Sequence, residues 1–176
     1  MGSQPEVHQA TQSVVDQPNK ILVVDDEAII QTLLSEVLTE EGYEVTTADN
    51  GKAAIELLER SKFDLVITDI VMPVLNGIEV LLAAKRIDMS YPVIVITGYH
   101  SVDSVVRLVN LGAADYIAKP FNVDLIRMTV AKVLQMRHMK AMVAEDSPTE
   151  SLPAVDGGTD TYNFSMFSNL LNNEIG

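Results

Sequence analysis

Five short runs rich in Val and Ile recur between Lys20 and Ala118, and a stretch of helical periodicity follows each one. The runs are continuously apolar rather than alternating, so a strand made from them needs cover on both faces, as in a parallel sheet. They predict strands at 20–24, 43–47, 64–68, 93–97 and 115–118. Between them, the pattern predicts helices at about 28–41, from Gly51 to about Arg60, and at about 77–87, 102–111 and 122–143, with Gly42 and Gly112 as stops. Apolar Ile29, Ile30, Leu33, Leu34, Val37 and Leu38 give the first helix its inner face. Ala53, Ala54, Leu57 and Leu58 do so for the second. In helix 102–111 the expected core stripe is Val102, Val105, Val106 and Val109, with Leu108 and Leu111 pointing elsewhere. Met128, Met136, Met139 and Met142 read as adaptable packing on the last helix. Strands alternating with helices require crossovers, which are right-handed in parallel sheets. The expected fold class is α/β: a (βα)5 doubly wound, five-stranded parallel sheet with helices on both faces.

The flanks differ from this pattern. Residues 1–19 are polar and aperiodic and are expected to be a disordered tail. Residues 144–161 carry acids, Pro148, Pro153 and Gly157-Gly158, the composition of a flexible linker. Within 162–176, Phe164, Phe167, Leu170 or Leu171, and Ile175 fall on one helical face, giving either a short amphipathic docking segment or a disordered remnant. All 12 Lys and Arg lie between Lys20 and Lys140, where 17 Asp and Glu outnumber them, in a chain of net charge −13. Direct nucleic acid binding is therefore not expected. The chain has no cysteine, which excludes disulfides, and three scattered histidines (His8, His100, His138) argue against zinc. No apolar stretch has the length of a membrane span, and no secretory signal is evident, so a cytoplasmic location is expected.

The polar residues that end the strands carry the chemistry. Asp25-Asp26 ends the first, Asp69 the third, Thr97 the fourth, and Lys119-Pro120 the fifth. Ligand sites of open α/β sheets lie at the carboxyl edge. Carboxylates gathered there repel one another unless a cation lies between them, and a hard cation with oxygen ligands, Mg²⁺, suits them. Asp69 is the natural nucleophile for an acyl phosphate. Thr97 can donate to a phosphoryl oxygen, and Lys119 can balance charge as it shifts in the transition state.

In these residues the chain resembles the receiver domain of two-component response regulators, over about residues 20–140. The acidic pair matches Asp25-Asp26. The phosphoacceptor matches Asp69, in Asp69-Ile70-Val71-Met72-Pro73-Val74-Leu75-Asn76-Gly77. The switch hydroxyl matches Thr97, the aromatic switch position Tyr116, and the Lys-Pro pair Lys119-Pro120. The resemblance implies a flavodoxin-like fold and Mg²⁺ held by Asp26, Asp69, the backbone carbonyl of Val71, and Asp25 through water. It also implies a cis peptide before Pro120. The implied donor is a phosphohistidine on a sensor histidine kinase or a histidine phosphotransfer protein. The implied role is a switch that promotes its own aspartyl phosphorylation and dephosphorylation and is otherwise not an enzyme. Val71 and Tyr99, two residues after Asp69 and Thr97, are expected to shield the phosphoryl group and slow self-hydrolysis. The output would leave through the face of helix 102–111, strand 115–118 and helix 122–143, which also offers a homodimer contact. Reciprocal salt bridges of Arg127, Lys132, Arg137 and Lys140 with Asp103, Asp115 and Asp124 would support such a dimer; a solvated face is the alternative.

Two other readings use the same parts. A haloacid-dehalogenase-like phosphatase also employs aspartyl phosphate, a hydroxyl, Lys and Mg²⁺. Its nucleophile, however, stands on the first strand and its paired acids come late, the reverse of the order here. The chain could also be the regulatory piece of a longer multidomain regulator.

Overall fold

Each of the five apolar runs becomes a strand, in a computed structural model that describes residues 17–98 and 102–145. The expected tail (up to residue 16), the linker from 146, the 162–176 segment, His8, Tyr99 and His100 lie outside the described residues. The strands are β1 (Lys20–Val24), β2 (Glu44–Ala48), β3 (Leu65–Asp69), β4 (Val93–Thr97) and β5 (Asp115–Ala118). The helices are α1 (Ala28–Glu40), α2 (Gly51–Arg60), α3 (Gly77–Ile87), α4 (Val102–Asn110) and α5 (Val123–Glu145). All pairings are parallel, in the order β2-β1-β3-β4-β5. β3 and β4 are buried along their whole length, while edge strands β2 and β5 are only partly covered. The order reverses at β1, so the carboxyl ends of β1 and β3 lie side by side and open one crevice.

α1 and α4 end the same way. Gly42 (φ +88°) and Gly112 (φ +89°) take the left-handed conformation that only glycine adopts freely. Tyr43 N–H then donates to Leu38 O at 3.1 Å, and Ala113 N–H to Leu108 O at 3.0 Å. This termination packs the residue four before the glycine against the residue after it. Leu108 is accordingly 2 % exposed, while Val106 and Val109 are 52 % and 61 % exposed. The expected stripe of α4 is thus corrected: Leu108, not Val106 or Val109, is core.

The other helices bury narrower faces than expected. On α1 the core takes Leu34, Val37 and Leu38, and leaves Ile29 and Leu33 exposed. Six apolar residues span a wider arc than one contact can cover. α5 is 23 residues long, about 34 Å, against strands of at most 5 residues and about 17 Å. Its buried residues, Ile126, Thr129, Val130, Val133 and Leu134, stop half way along, and all four expected packing methionines are exposed. Three of the basic residues of α5 are paired within the chain. Arg127 bridges to Glu40 and Glu41, Lys132 to Asp115 at 2.9 Å, and Arg137 to Asp64 at 3.0 Å.

Between β3 and α3 the chain makes a three-residue turn in which Leu75 N–H donates to Pro73 O at 3.0 Å. Its central residue, Val74, has φ +73° and is 81 % exposed. A positive φ is costly for a β-branched residue, and γ-turns of this hand are strained. Val74→Gly is expected to stabilise the fold by about 1 kcal/mol, raising the midpoint of thermal unfolding by about 3 °C. Scanning calorimetry checks this, and a lower midpoint would contradict the strain.

Candidate functional site

The crevice gathers residues from three strand ends. Asp25 directly follows β1, Asp69 ends β3, and Lys119 directly follows β5. Asp25 is 1 % and Asp69 6 % exposed. Lys119 Nζ lies 2.8 Å from Asp69 Oδ2, 3.2 Å from Asp25 Oδ2 and 3.4 Å from Glu27 Oε1. Thr97, at the end of β4, is fully buried, and its carbonyl accepts the Lys119 N–H at 2.8 Å. The Lys119–Pro120 peptide is cis. Val71 donates its amide to Asp69 Oδ1 at 3.4 Å. Tyr116, on edge strand β5, is 38 % exposed and points outward.

Carboxylate oxygens of Asp25, Glu27 and Asp69 lie within 4.8 Å of one another, the hard donor set that suits a divalent cation. The structure thus brings Asp25, Asp69, Lys119 and Thr97 to one place, leaves Asp26 exposed outside that carboxylate cluster, and draws in Glu27 instead. Glu27 was not singled out in the sequence, although three consecutive acids after β1 were visible. Gln31 is a second addition. Its amide nitrogen donates to the carbonyls of Asp25 (2.6 Å) and Ala48 (3.3 Å), tying α1 to the ends of β1 and β2. Its sequence signal was a polar residue beside the apolar stripe of α1.

Burial dominates the electrostatics of Asp25 and raises its pKa; the Glu27 amide and Lys119 only partly offset it. Burial alone would lower the pKa of Lys119. Its hydrogen bonds and ion pairs with Asp69 and Asp25 outweigh that and raise it. Lys119 therefore contributes stability that is complete below about pH 10 and lost only in strong alkali. Asp25 acts in the opposite sense. Its folded pKa lies above the unfolded value, so stability falls as pH rises from about 4 through the folded pKa. Asp25→Asn is expected to raise the thermal midpoint in EDTA at neutral pH and to flatten that fall. Thermal melts across pH test it, and an unchanged slope would contradict it.

Among the described residues, no helix is long and apolar enough to cross a membrane.

Comparison with known proteins gives one answer. The profile of the response regulator receiver domain matches residues 21–131. Sporulation initiation phosphotransferase F of Bacillus subtilis is 41 % identical over 118 residues, covering 67 % of this chain and 95 % of that protein. Transcriptional regulatory protein PdtaR of Mycobacterium tuberculosis is 40 % identical, covering 73 % of this chain and 63 % of the relative. Transcriptional regulatory protein ZraR of Klebsiella oxytoca is 38 % identical over 78 % of this chain, which spans only 30 % of that longer protein. Among solved structures, response regulator TrrA of Thermotoga maritima, in complex with Mg²⁺-BeF, is 39 % identical with a TM-score of 0.60, covering 65 % of this chain and 98 % of that one. A CheY-like receiver domain from Methanospirillum hungatei reaches a TM-score of 0.67 at 31 % identity, covering 70 % and 98 %. In sequence, in strand order and in the meeting of two aspartates with a lysine at the sheet edge, this chain belongs to the response regulator receiver family.

Proposed function

We propose that this receiver accepts a phosphoryl group onto Asp69 from a phosphohistidine of a sensor histidine kinase or histidine phosphotransfer protein. The observation that carries the reading is the 2.8 Å ion pair of Lys119 with Asp69 Oδ2 inside a cluster of buried acids. A carboxylate oxygen of Asp69 attacks phosphorus, the P–N bond to imidazole breaks, and the electron pair returns to the ring nitrogen. Lys119 neutralises charge that moves from the carboxylate onto the phosphoryl oxygens, and the Thr97 hydroxyl donates to one of them. Asp25, Asp26, Asp69 and the Val71 carbonyl would hold Mg²⁺, with Glu27 close enough to compete with Asp26. When bound, the ion supplies charge neutralisation across the transferring group.

Phosphorylation gives Thr97 a new acceptor and draws it toward the site. Tyr116 then turns inward behind it, reshaping the face of α4, β5 and α5. A dimer through that face would have to compete for Arg127, Lys132 and Arg137 with their partners within the chain. The 95 % coverage of phosphotransferase F favours a module that relays the phosphoryl group. The 30 % coverage of ZraR favours a regulatory segment of a longer protein.

Incubation with acetyl phosphate and Mg²⁺ tests the proposal. One phosphoryl group is expected by intact mass, mapped to Asp69 and decaying over minutes or longer, as a bulky apolar residue, Val71, two positions after Asp69 would allow. No uptake, or modification elsewhere, would overturn the phosphoacceptor; decay within seconds would overturn the shielding. Repeated turnover of a small phosphate ester would instead favour the phosphatase reading.

A further inference from the structure

The outer side of α5, from its docked first half to its exposed second half, carries an unassigned surface. Leu125, Met128, Met139 and Met142 are 44 %, 71 %, 53 % and 70 % exposed. With exposed Lys132 and Gln135 they fall at positions 125, 128, 132, 135, 139 and 142, alternating steps of three and four. That is the spacing of a coiled-coil seam. It lies on the side of the helix opposite Ile126, Val130 and Val133, which face the core. Past Leu134, every residue with a described side chain through Met142 is exposed except Arg137, which is partly covered. A helical overhang of this length is marginal in water unless something covers its apolar side.

The six positions are symmetric about the point between Val133 and Leu134. A second copy of α5 running antiparallel therefore matches Leu125 to Met142, Met128 to Met139, and Lys132 to Gln135, each pair twice. A parallel pairing in register would set Lys132 against its own copy, placing two ammonium groups together in the seam. The antiparallel pairing sets it beside an amide. There the Lys132 head keeps its 2.9 Å bridge to Asp115 while its stem covers the neighbouring methionine.

We propose that the exposed seam of α5 docks on the same seam of a second copy of this chain, antiparallel and centred between Val133 and Leu134. One helix from each copy makes a small interface, below the usual range of about 1,200–2,000 Å², so the dimer is a weak and exchanging one. Methionines suit such a contact, because their unbranched side chains repack at little cost.

The chain has no cysteine, so disulfide trapping in the full-length protein reads the register directly. The Met128→Cys and Met139→Cys variants, one of them carrying a heavy isotope label, are mixed at high concentration and treated with a mild thiol oxidant. The proposal expects the mixed 128–139 product to dominate. Like positions would lie about 16 Å apart along the seam, beyond the roughly 7 Å Cα separation a disulfide tolerates. Met128→Cys coupling to itself as readily as to Met139→Cys would show a parallel pairing and overturn the proposal. So would the absence of any crosslink from a protein that sediments as a monomer throughout, whether the seam is then covered by the chain's own 162–176 segment or by nothing.

Discussion

Asp69→Asn is expected to abolish phosphoryl uptake from acetyl phosphate while leaving the fold intact. The amide keeps the shape of the carboxylate and can still accept at Oδ1 the Val71 N–H, 3.4 Å away in the parent. Its nitrogen, a donor, cannot replace the oxygen that accepts from Lys119, but Lys119 Nζ keeps Asp25 at 3.2 Å and Glu27 at 3.4 Å. What it loses is the nucleophilic anion. Asp25 is as deeply buried, but its Oδ1 already accepts the Glu27 N–H at 2.9 Å and its Oδ2 faces Lys119. Its raised pKa also reflects an environment that disfavours the free carboxylate. Intact-mass measurement with and without Mg²⁺, beside a circular dichroism spectrum, checks both halves. A phosphoryl group still gained by folded Asp69→Asn protein would move the acceptor elsewhere and remove the central assignment.

The parts of this site legible in the sequence were those fixed by strand ends. A continuous run of β-branched residues announces a buried parallel strand, and the first polar residue after it lands at the carboxyl edge. Asp25, Asp69, Thr97 and Lys119 could therefore be brought together before any geometry was known. Less legible was which of several neighbours turns inward. Asp26 and Glu27 follow Asp25 in an exposed connection, and nothing in composition says that the longer acid folds back toward Lys119. The same difficulty appears in the helices. On α4, two stripes fit the helical period equally well. The deciding signal was Gly112, whose left-handed conformation commits the residue four positions before it to the core. On α5, the apolar period continues past the point where the sheet ends, so periodicity alone could not separate core packing from an exposed seam.

Gly77→Ala is expected to cost the fold about 3 kcal/mol or more, lowering the thermal midpoint by about 10 °C. A Cβ at this position would run into the carbonyl oxygen of Asp69, with the Asp69 carbonyl carbon at 2.8 Å and Thr68 Oγ1 at 2.9 Å. Neither side can give way cheaply. Asp69 belongs to a strand held between β1 and β4. Gly77 is tied to that strand's exit by its N–H to Ile70 O at 3.0 Å. It also opens α3 behind a capping box in which the Asn76 side chain accepts from Ile78 and Glu79 while Glu79 accepts the Asn76 N–H. Two other glycines separate steric from conformational cost. At Gly42 an added Cβ meets nothing within 4 Å, so only its positive φ is strained; Gly42→Ala is expected to cost about 1 kcal/mol. At Gly51 the contact is with the backbone of Leu75, in a loop rather than a strand, and an intermediate loss is expected. Because Gly77 presses on the backbone of the phosphoacceptor itself, the part of the loss taken up by shifting β3 also moves Asp69 away from Lys119. Phosphoryl uptake by Gly77→Ala should therefore fall even at temperatures where the variant stays folded, whereas Gly42→Ala, at the far end of β2, should keep it. Equal melting of the two variants, or normal uptake by folded Gly77→Ala protein, would show that the close approach of α3 to β3 is not what holds the site in register.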